Sequence, residues 1–590
     1  MSKSRVAERS AAYALKTAAE PAFGASFDLL ATAPQGVAKL RELILSLAVR
    51  GRLTTQSSDD EAAGVLLNKI HVARNRAVSG GGLRHNLKEP KAALNWDAQH
   101  ALPQGWEWAS LDALSPLSLA DGDWIETKDQ DPNGGIRLIQ LADVGVGKFI
   151  DKSSRFINQE TFDRLGCTSL EAGDILIARL PNPIGRACIF PNIGCPAITA
   201  VDLAILRNSA LFNAQYLVTA INSVMIRSQV EAYGKGATRF RVSTGHLKTV
   251  AVPVPPLAEQ ARIVARVEEL MQLCDALEAH GRLQDEQHAR LVATLFDTLA
   301  ASASAEELAE NWQRIATHFD LLLDRPEAVD ALEQTLLQLA VRGLLVPQDP
   351  TDEPASKLLH KIQTCRADFR VGAGKSRHTA ARDEPAFNPP MGWEAVGLLD
   401  VCAVGGGATP SKGNPSYWNG DIPWVSPKDM KVDLIEDSQD HVSPKALSET
   451  RLPLVAKNSL LVVVRGMILV HSFPVAVTTK EVTLNQDMKS FTPYLEGLTG
   501  FLALALKGFK PEILSLVARS THGTCKLESE KLFDFTFGLP PLAEQHRIVA
   551  RVEQLRRLCA DLRERLQQAR ATQSRLADAL VRTAGESPAS

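Results

Sequence analysis

The sequence predicts an α+β protein with an internal pseudo-two-fold repeat: two α+β domains separated by helical blocks and a pair of long antiparallel coiled-coil helices. Three observations predict this fold. The segment PPLAEQARIVARVEEL at 255–270 returns as PPLAEQHRIVARVEQL at 540–555. A helical block at 27–56 returns at 319–348, and two stretches of dissimilar sequence lie between the repeats. A repeat of this size indicates the architecture before any single element does.

Each repeat begins with a helical block. Residues 27–56 read FDLLATAPQGVAKLRELILSLAVRGRLTTQ, and residues 319–348 read FDLLLDRPEAVDALEQTLLQLAVRGLLVPQ. The helical spacing of the apolar residues predicts a helix that ends where Gly51 follows Arg50. We expect the apolar side chains to form a bundle core, with a surface for a partner as the second interpretation. These side chains are Leu43, Ile44, Leu47, Val49, Leu53, Leu336, Leu337, Leu339, Ala340, Val341, Leu344 and Leu345.

A long helix follows each Pro-Pro pair. The prolines are pre-set for a first helical turn, and Glu259 or Glu544 complements the positive end of the helix dipole. Beyond them, apolar residues at alternating steps of four and three predict a coiled-coil seam in a helix of roughly 40 residues, about 60 Å long. The predicted seam residues are Ile263, Val267, Leu270, Cys274, Leu277, Leu291 and Leu295 in the first helix, and Ile548, Val552, Leu555, Cys559, Leu562, Leu566, Ala569, Gln573, Leu576 and Leu580 in the second. Two related seams are expected to pair with each other, which brings the C-terminal helix onto the N-terminal helical block.

The dissimilar stretches predict two α+β domains. Short apolar runs punctuated by Gly and Pro, such as GDILIARLP at 173–181 and NSLLVVVRGMILV at 458–470, indicate strands. Each domain is expected to carry a helix, at 212–232 in the first and 495–518 in the second. The predicted boundaries are 1–105 for an N-terminal tail (a frayed helix or tail at 1–26) and helical block, 106–250 for the first α+β domain, 251–392 for a central coiled-coil helix and helical block, 393–537 for the second α+β domain, and 538–590 for the C-terminal coiled-coil helix.

Composition and missing motifs narrow the function. The formal net charge of −3 gives no general attraction to nucleic acid, so a DNA-binding surface must be local. The eight cysteines form no CxxC pair and no Cys/His cluster at zinc spacing, so no metal site is predicted. The sequence shows no signal-type N-terminus and no apolar run of membrane length, so we expect a cytoplasmic protein. It also lacks P-loop, GxGxxG, HExxH and GxSxG motifs, so no catalytic residue is predicted.

Basic and polar residues of the two α+β domains give the better indication of function. Residues 179–250 carry eight lysines and arginines against two acids. Cations that replace condensed counterions at phosphates are what a DNA-facing surface needs, while Ser and Thr mainly position the backbone. The candidate DNA-binding residues are Arg179, Arg186, Lys235, Thr238, Arg239 and Arg241 in the first domain, and Thr409, Ser411, Lys412, Lys428, Arg465, Arg519, Thr521, His522 and Lys526 in the second.

Three features together resemble the DNA-specificity subunit of type I restriction–modification systems. They are the duplicated PPLAEQ-x-RIVARVE, the segment QLAVRGLLVPQDPTDEPAS at 338–356 and the segment GGGATPSKGNPSYWNGDIPWVSPKDM at 405–430. The resemblance covers about residues 27–582. It implies that each α+β domain is a target-recognition domain reading one half of a split sequence in double-stranded DNA. It further implies that the coils hold the two domains at a set separation.

The resemblance also implies the partners. The helical blocks would bind two methyltransferase subunits, and two restriction/translocase subunits would join where cleavage accompanies methylation as defence against foreign DNA. This chain would be the non-catalytic reader without a cofactor of its own. S-adenosylmethionine, and ATP with Mg if restriction subunits are present, would bind the partner subunits.

Two other functions stay open on the residues alone. A structural coiled-coil adaptor would use the same helices without reading DNA. A self-contained adenine methyltransferase would need a cofactor loop. Asn388-Pro389-Pro390-Met391 resembles the Asn-Pro-Pro-aromatic element of such enzymes, but Met replaces the aromatic residue and no glycine-rich cofactor loop precedes it. A turn ahead of Gly392-Trp393 is therefore the favoured interpretation of this segment.

Overall fold

The structure is a computed structural model that describes residues 27–79, 90, 101–181, 183–236, 240–368, 387–519 and 525–586. The predicted tail at 1–26 and most of the stretch between the first helical block and the first α+β domain lie outside this set. The chain forms two compact units, the first comprising Met1–Gln284 with Arg570–Ser590 and the second Asp285–Ala569. Among the described helices, none combines the length and the apolar character needed to cross a membrane.

The first unit begins with the predicted helical block. Its helices are α1 (Phe27–Thr32), α2 (Gly36–Ala48) and α3 (Ala63–Ser79). Gly51 takes a left-handed conformation (φ +66°) just beyond α2, and the Arg52 N–H donates to the Leu47 carbonyl at 3.0 Å. This closure is the usual glycine-dependent helix end, so the predicted stop is confirmed. Leu43, Ile44 and Leu47 are buried, which confirms the bundle core for this block.

The first α+β domain contains two small sheets and a closing strand pair. Its strands are β1 (Glu107–Ser110), β2 (Ala120–Asp121), β3 (Ile136–Ile139), β4 (Phe156–Ile157), β5 (Ile175–Ala178), β6 (Ala187–Ile189), β7 (Ala197–Thr199), β8 (Leu203–Leu206) and β9 (Ala251–Val254). Its helices are α4 (Gln159–Leu165), α5 (Ala214–Ile221), α6 (Val224–Ala232) and α7 (Thr244–Leu247). One antiparallel sheet has the order β2-β8-β5-β6, and the other has the order β4-β3-β7. Glu107 of β1 pairs with Val254 of β9, so the strand pairing extends the domain beyond the predicted boundary at 250.

The second unit repeats this plan. Its block helices are α9 (Ala305–Thr317), α10 (Phe319–Leu322), α11 (Pro326–Val341) and α12 (Ala355–Asp368). The strands of its α+β domain are β10 (Glu394–Gly397), β11 (Cys402–Gly406), β12 (Trp418–Val425), β13 (Leu434–Ile435), β14 (Asp440–Val442), β15 (Leu460–Val463), β16 (Val475–Thr478), β17 (Thr483–Leu484), β18 (Met488–Pro493), β19 (Val517–Arg519), β20 (Cys525–Leu527) and β21 (Thr536–Leu539). The helices of that domain are α13 (Leu398–Val401), α14 (Pro444–Glu449), α15 (Thr499–Gly508), α16 (Lys510–Ser515) and α17 (Ser529–Asp534). β10 pairs with β21 and closes the domain after Leu539, again slightly beyond the predicted boundary.

The single helix predicted in each α+β domain is in fact two helices. Between α5 and α6, the Ser223 backbone is extended and its hydroxyl accepts the Ile226 N–H at 3.4 Å. Serine is a favoured N-cap because its oxygen replaces a missing backbone acceptor. Between α15 and α16, Pro511 occupies the first turn of the new helix, where its missing N–H costs nothing. Apolar spacing alone did not reveal these two interruptions.

The two α+β domains share one topology although their sequences are dissimilar. In the smaller sheets, β3 pairs antiparallel with β4 and parallel with β7, as β12 does with β14 and β17. The larger sheets have the orders β2-β8-β5-β6 and β11-β18-β15-β16, and β13 extends the second of them. Ile139 pairs with Thr199 as Val425 pairs with Leu484. This common register gives a residue-by-residue correspondence between the domains.

Two long helices contain the predicted seams. They are α8 (Leu257–Ala300) and α18 (Leu542–Glu586). In the first unit, Ile263 and the other early seam residues of α8 belong to the same apolar cluster as Ala577 of α18. In the second unit, Phe296 of α8 belongs to the same cluster as Cys559 of α18. Early residues of each helix thus meet late residues of the other, and the antiparallel pairing is confirmed.

The seam departs from the prediction in the C-terminal part of each helix. The predicted seam residues that are exposed are Leu291, Ala569, Gln573 and Leu576. The residue after Leu291 and the residue after Leu576 are buried instead. Each of these buried residues lies 29 positions after the first seam residue, Ile263 or Ile548. Eight turns take about 29 residues at 3.6 per turn but about 28 at 3.5, so the pattern follows the straight-helix period rather than the strict heptad.

The C-terminal helix meets the N-terminal block, as the duplication predicts. Lys39 of α2 donates to the Ser574 carbonyl at 2.8 Å and lies 2.9 Å from the Asp578 carboxylate. Ala577 is fully buried and Val581 packs against the same cluster, which includes Leu40 of α2. The first unit therefore contains the second helix-to-block junction, assembled from the two ends of the chain.

Candidate nucleic-acid interface

A buried glutamate joins three parts of the first unit. Glu259, near the start of α8, is 1% exposed. Its carboxylate accepts from the Trp106 indole N–H at 2.8 Å, the Gln56 amide at 3.1 Å and the Thr54 hydroxyl at 3.3 Å. Trp106 begins the α+β domain, and Gln56 and Thr54 follow α2. Helical block, domain and long helix therefore meet at one carboxylate.

Glu544 makes the matching junction in the second unit. It is 1% exposed and accepts from the Trp393 indole N–H at 3.0 Å and the Gln348 amide at 3.2 Å. Val346 stands where the first copy has Thr54, so one donor of the first junction is absent from the second. Burial raises the pKa of the Glu544 carboxyl, against the two hydrogen bonds that lower it. These junctions hold each α+β domain in a defined orientation on its own helix.

In the second α+β domain, two predicted residues contact the loop that follows β17, and two more lie on the adjoining strands. The Thr409 hydroxyl donates to Gln486 of this loop, and Arg465 lies 3.8 Å from the carboxylate of Asp487. Arg465 also forms a backbone bridge with Lys526, whose neighbour in β20 pairs with Arg519. Residues paired across antiparallel strands present their side chains on one face. Arg465 and Lys526 therefore share one face, and both are exposed, so this edge of the domain is a basic surface. Arg519 is also exposed, but it pairs with the buried Cys525 and so belongs to the other face of the strand pair.

The other candidate DNA-binding residues of this domain lie outside this group. Ser411 and Lys412 are exposed on the loop that contains Thr409. Lys428 is exposed just beyond β12, whose last residue accepts the N–H of Asn485. Thr521 and His522 lie outside the described residues.

The first α+β domain has a corresponding basic edge. Lys235 and Arg241 form an antiparallel backbone bridge, as β19 and β20 do in the second domain. Lys235 is exposed, and the half-buried Arg241 donates to the Val201 carbonyl at 3.4 Å. Thr238 and Arg239, which lie between them in the sequence, are outside the described residues.

Two residues predicted to contact DNA, Arg179 and Arg186, are buried, and the structure corrects that prediction. Arg179 is 6% exposed, donates to the Val242 and Val201 carbonyls, and forms an ion pair with Asp121 at 2.5 Å. Arg186 is 7% exposed, and its guanidinium donates to four backbone carbonyls, among them that of Val144 at 2.7 Å. Both guanidinium groups donate to the protein's own loops, and neither belongs to the exposed basic edge.

Each domain also has an open polar cleft beside its smaller sheet, which the sequence reasoning did not find. The cleft of the first domain, about 380 Å³, is lined by Trp124, Gln130 and Arg155 among others. The cleft of the second, about 420 Å³, is lined by Lys412, Trp418, Gln439, Asp440 and His441 among others. The residues of the second cleft come from two segments, 412–420 and 439–441, and of them only Lys412 was predicted. In the first cleft, Trp124 stands among polar and acidic residues in the sequence, which was a signal for an exposed aromatic side chain.

The described residues hold no cluster of candidate metal ligands. Within them, no group of three or more His, Cys, Asp or Glu side chains could hold a metal ion. The cysteines are free, and burial raises the pKa of the Cys274 thiol in the seam to about 11. Cys274 and Cys559 are buried, as predicted for small apolar seam residues.

Comparison with known proteins gives consistent matches. The model of the type I restriction modification DNA specificity domain matches residues 103–285 and 390–569. The type I restriction enzyme EcoEI specificity subunit of Escherichia coli is 31% identical over 566 residues, which is 92% of this chain and 93% of that protein. The EcoAI specificity subunit of Escherichia coli is also 31% identical, over 571 residues, with the same two coverages. A chain from a solved structure of a type I R-M system is 19% identical, covers 82% of this chain and 99% of its own length, and has a TM-score of 0.44.

The family model matches more than half of the chain, in two segments that each contain one α+β domain and the start of one long helix. The two Escherichia coli relatives are similar along nearly the whole length. The internal repeat, the two α+β domains of shared topology and the similar proteins all indicate one family. The chain belongs to the type I restriction–modification DNA specificity family.

Proposed function

We propose that this chain is the sequence-specific DNA-binding subunit of a type I restriction–modification complex. Each α+β domain reads one half of a bipartite target in double-stranded DNA. The long helices separate the two half-sites, and the basic edges around Lys235 and Arg465 contact phosphates. The chain positions the catalytic subunits and performs no chemistry itself.

One observation supports this proposal above the others. The two copies make the same contacts where each α+β domain joins its long helix, and they differ in the exposed residues of the clefts. The junction carboxylates Glu259 and Glu544 both accept an indole N–H and a glutamine amide. The exposed cleft residues, in contrast, have no such agreement between the domains. A reader of two unlike half-sites requires this combination, because both readers need the same mounting but different side chains at the DNA.

The duplicated helical blocks support two equivalent sites for methyltransferase subunits. Each block forms a buried core with residues such as Leu47 and Leu339, so partners bind the exposed side of the block. Restriction/translocase subunits join the same complex where DNA is cleaved. S-adenosylmethionine, and ATP with Mg where cleavage occurs, bind those partner subunits, and the complex works in the cytoplasm.

The methyltransferase complex tests this function directly. The chain is reconstituted with its methyltransferase subunits, and methylated adenines are mapped on DNA of known sequence. The expected result is a split motif with an unread spacer. Exchange of residues 107–254 for the same domain of another family member should change one half of the motif and leave the other intact. A continuous motif, or a change in both halves, would contradict the proposal.

Two controls separate the rival functions. A structural adaptor would show no DNA affinity beyond that of its partners, whereas a reader gives binding that weakens steeply as salt rises. A self-contained methyltransferase would bind S-adenosylmethionine as an isolated chain. We expect salt-dependent DNA binding by the complex and no cofactor binding by the isolated chain.

A further inference from the structure

The polar clefts of the two α+β domains occupy the same place in the shared topology. Arg155 lies opposite Leu138, whose N–H donates to the Arg155 carbonyl at 2.9 Å. Asp440 lies opposite Trp424 in the register of β12 and β14. Leu138 and Trp424 correspond because each directly precedes the last residue of the matched parallel pairing, Ile139 or Val425. Arg155 and Asp440 are therefore equivalent positions with opposite charges.

The backbone leading to this position is held in the same way in both domains. Asp143, which is fully buried, accepts from the Lys152 N–H at 2.7 Å and the Ser153 N–H at 2.6 Å. Its counterpart Asp429 accepts from the Gln439 N–H at 2.9 Å. The main chain is thus anchored by an aspartate a few residues before an exposed side chain that differs. Such anchoring presets the position of the side chain before a ligand arrives.

The side chains in the clefts have the chemistry that reads base edges. In the first cleft, Arg155 donates to the Gln130 side-chain oxygen at 3.0 Å, which orients the guanidinium, and Trp124 stands 65% exposed. In the second cleft, Asp440 is exposed, and none of the described residues hydrogen-bonds to or pairs with its carboxylate. Lys412 lines the same cleft. Arginine donates two hydrogen bonds to guanine, and a carboxylate accepts from the cytosine amino group in the major groove.

Resting on the proposed function, we propose that Arg155 and Asp440 are specificity-determining residues of the two half-sites. Arg155 reads a guanine in the half-site of the first domain. Asp440 reads a cytosine in the half-site of the second. Trp124 lies beside Arg155 and makes the apolar contact with the neighbouring base or sugar. The opposite charges at one structural position give the two domains different preferences on a common scaffold.

The experiment uses the complete complex with its methyltransferase subunits and a DNA library randomised over the target. Arg155→Ala should relax one guanine position of one half-site by about 10- to 100-fold and leave the other half-site unchanged. Asp440→Ala should relax one cytosine position of the other half-site by a similar factor. Lys148→Ala and Glu481→Gln, exposed charges of the same domains outside the clefts, serve as matched controls and should leave every position unchanged.

A base analogue separates readout from a general loss of affinity. Replacing the guanine with 7-deazaguanine removes one acceptor of the bidentate contact. The analogue should weaken binding of the unmodified complex and leave binding by the Arg155→Ala complex unaltered. If the unmodified complex gives no split motif, the proposed function fails. If it gives a split motif but neither substitution relaxes any position, or both relax positions in one half-site, only this inference fails.

Discussion

Replacing Glu544 by alanine should destabilise the second unit by about 3 kcal/mol and loosen its α+β domain from α18. The carboxylate is 1% exposed and accepts two hydrogen bonds, from Trp393 at 3.0 Å and Gln348 at 3.2 Å. A buried donor left without a partner costs about 1–3 kcal/mol, so the buried Trp393 indole at about 2 kcal/mol and the more exposed Gln348 amide at about 1 kcal/mol together give about 3 kcal/mol. For a unit of this size the corresponding fall in unfolding temperature is about 5 °C.

The neighbouring residues supply matched variants. Glu544→Gln keeps one side-chain oxygen for the Trp393 N–H and should cost about 1 kcal/mol, since only one of the two donors is left without a good acceptor. In the first copy, Thr54→Val removes one of three donors to Glu259 and should cost about 1 kcal/mol as well. Val346→Thr gives Glu544 the third donor that Glu259 already has, and should stabilise the second unit by part of that difference of about 1 kcal/mol.

The pH dependence of the Glu544→Gln effect follows from the raised pKa. A carboxyl whose pKa is higher in the folded state binds its proton more tightly there, so its contribution to stability is complete below the unfolded pKa. That contribution is lost as the pH rises through the folded pKa. The advantage of the unmodified protein over Glu544→Gln should therefore be largest in mild acid and shrink toward neutral pH.

Urea denaturation of the full chain at several pH values, followed by circular dichroism, measures these differences. Because the chain has two units, the transition assigned to the second unit is compared between variants rather than treated as one global transition. A Glu544→Ala loss below about 1 kcal/mol, or a Glu544→Gln gap that widens as the pH rises, would refute this account of the junction.

Three further predictions concern the frame and the basic edge. Lys39→Ala should destabilise the first unit by about 1–2 kcal/mol in thermal unfolding, because it removes contacts with both Ser574 and Asp578 of α18. Asp578→Ala removes only the half-exposed ion pair and should cost less than about 1 kcal/mol. Arg465→Ala and Lys526→Ala should each weaken binding to all DNA sequences alike and lower the slope of log affinity against log salt by about 1. Lys457→Ala, at an exposed lysine, is the control. A slope equal to that of the control would count against phosphate contact. Matched seven-residue insertions in α8 and α18 add about 10 Å of helix and should widen the preferred spacer by about three base pairs in methylation mapping; an unchanged spacer would remove the helices as its determinant.

The duplication made most of the fold predictable from the sequence. A segment such as PPLAEQ-x-RIVARVE that occurs twice is expected to make the same contacts twice. The duplication therefore predicts that the block around Lys39 packs against the second long helix. The helix stop at Gly51 was predictable because a left-handed residue there is a local requirement. These features depend on short-range pattern or on symmetry, and both are visible in one sequence.

The features that could not be predicted depend on burial and on long-range pairing. Arg179 and Arg186 look like surface cations in the sequence, and only the fold shows that backbone carbonyls of distant loops take their donors. Arg155 and Asp440 can be identified as equivalent positions only from strand register, since the surrounding sequences share no motif. Composition identified a basic region correctly but could not separate its buried members from its exposed ones.

The period of the seam decides which changes of helix length are structurally neutral. Seven residues turn a straight helix by about 20° less than two full turns, and over the length of α8 this lag already displaces the buried stripe from Leu291 to the next residue. A seven-residue insertion therefore combines a change of length with a small rotation of everything beyond it. Eighteen residues complete about five turns at 3.6 per turn and add about 27 Å, or about eight base pairs, without that rotation. If the helices set the spacer by length alone, both insertions should follow the same line of spacer against length. If only the eighteen-residue insertion retains activity, the rotational setting of the domains on the helices contributes to reading as well.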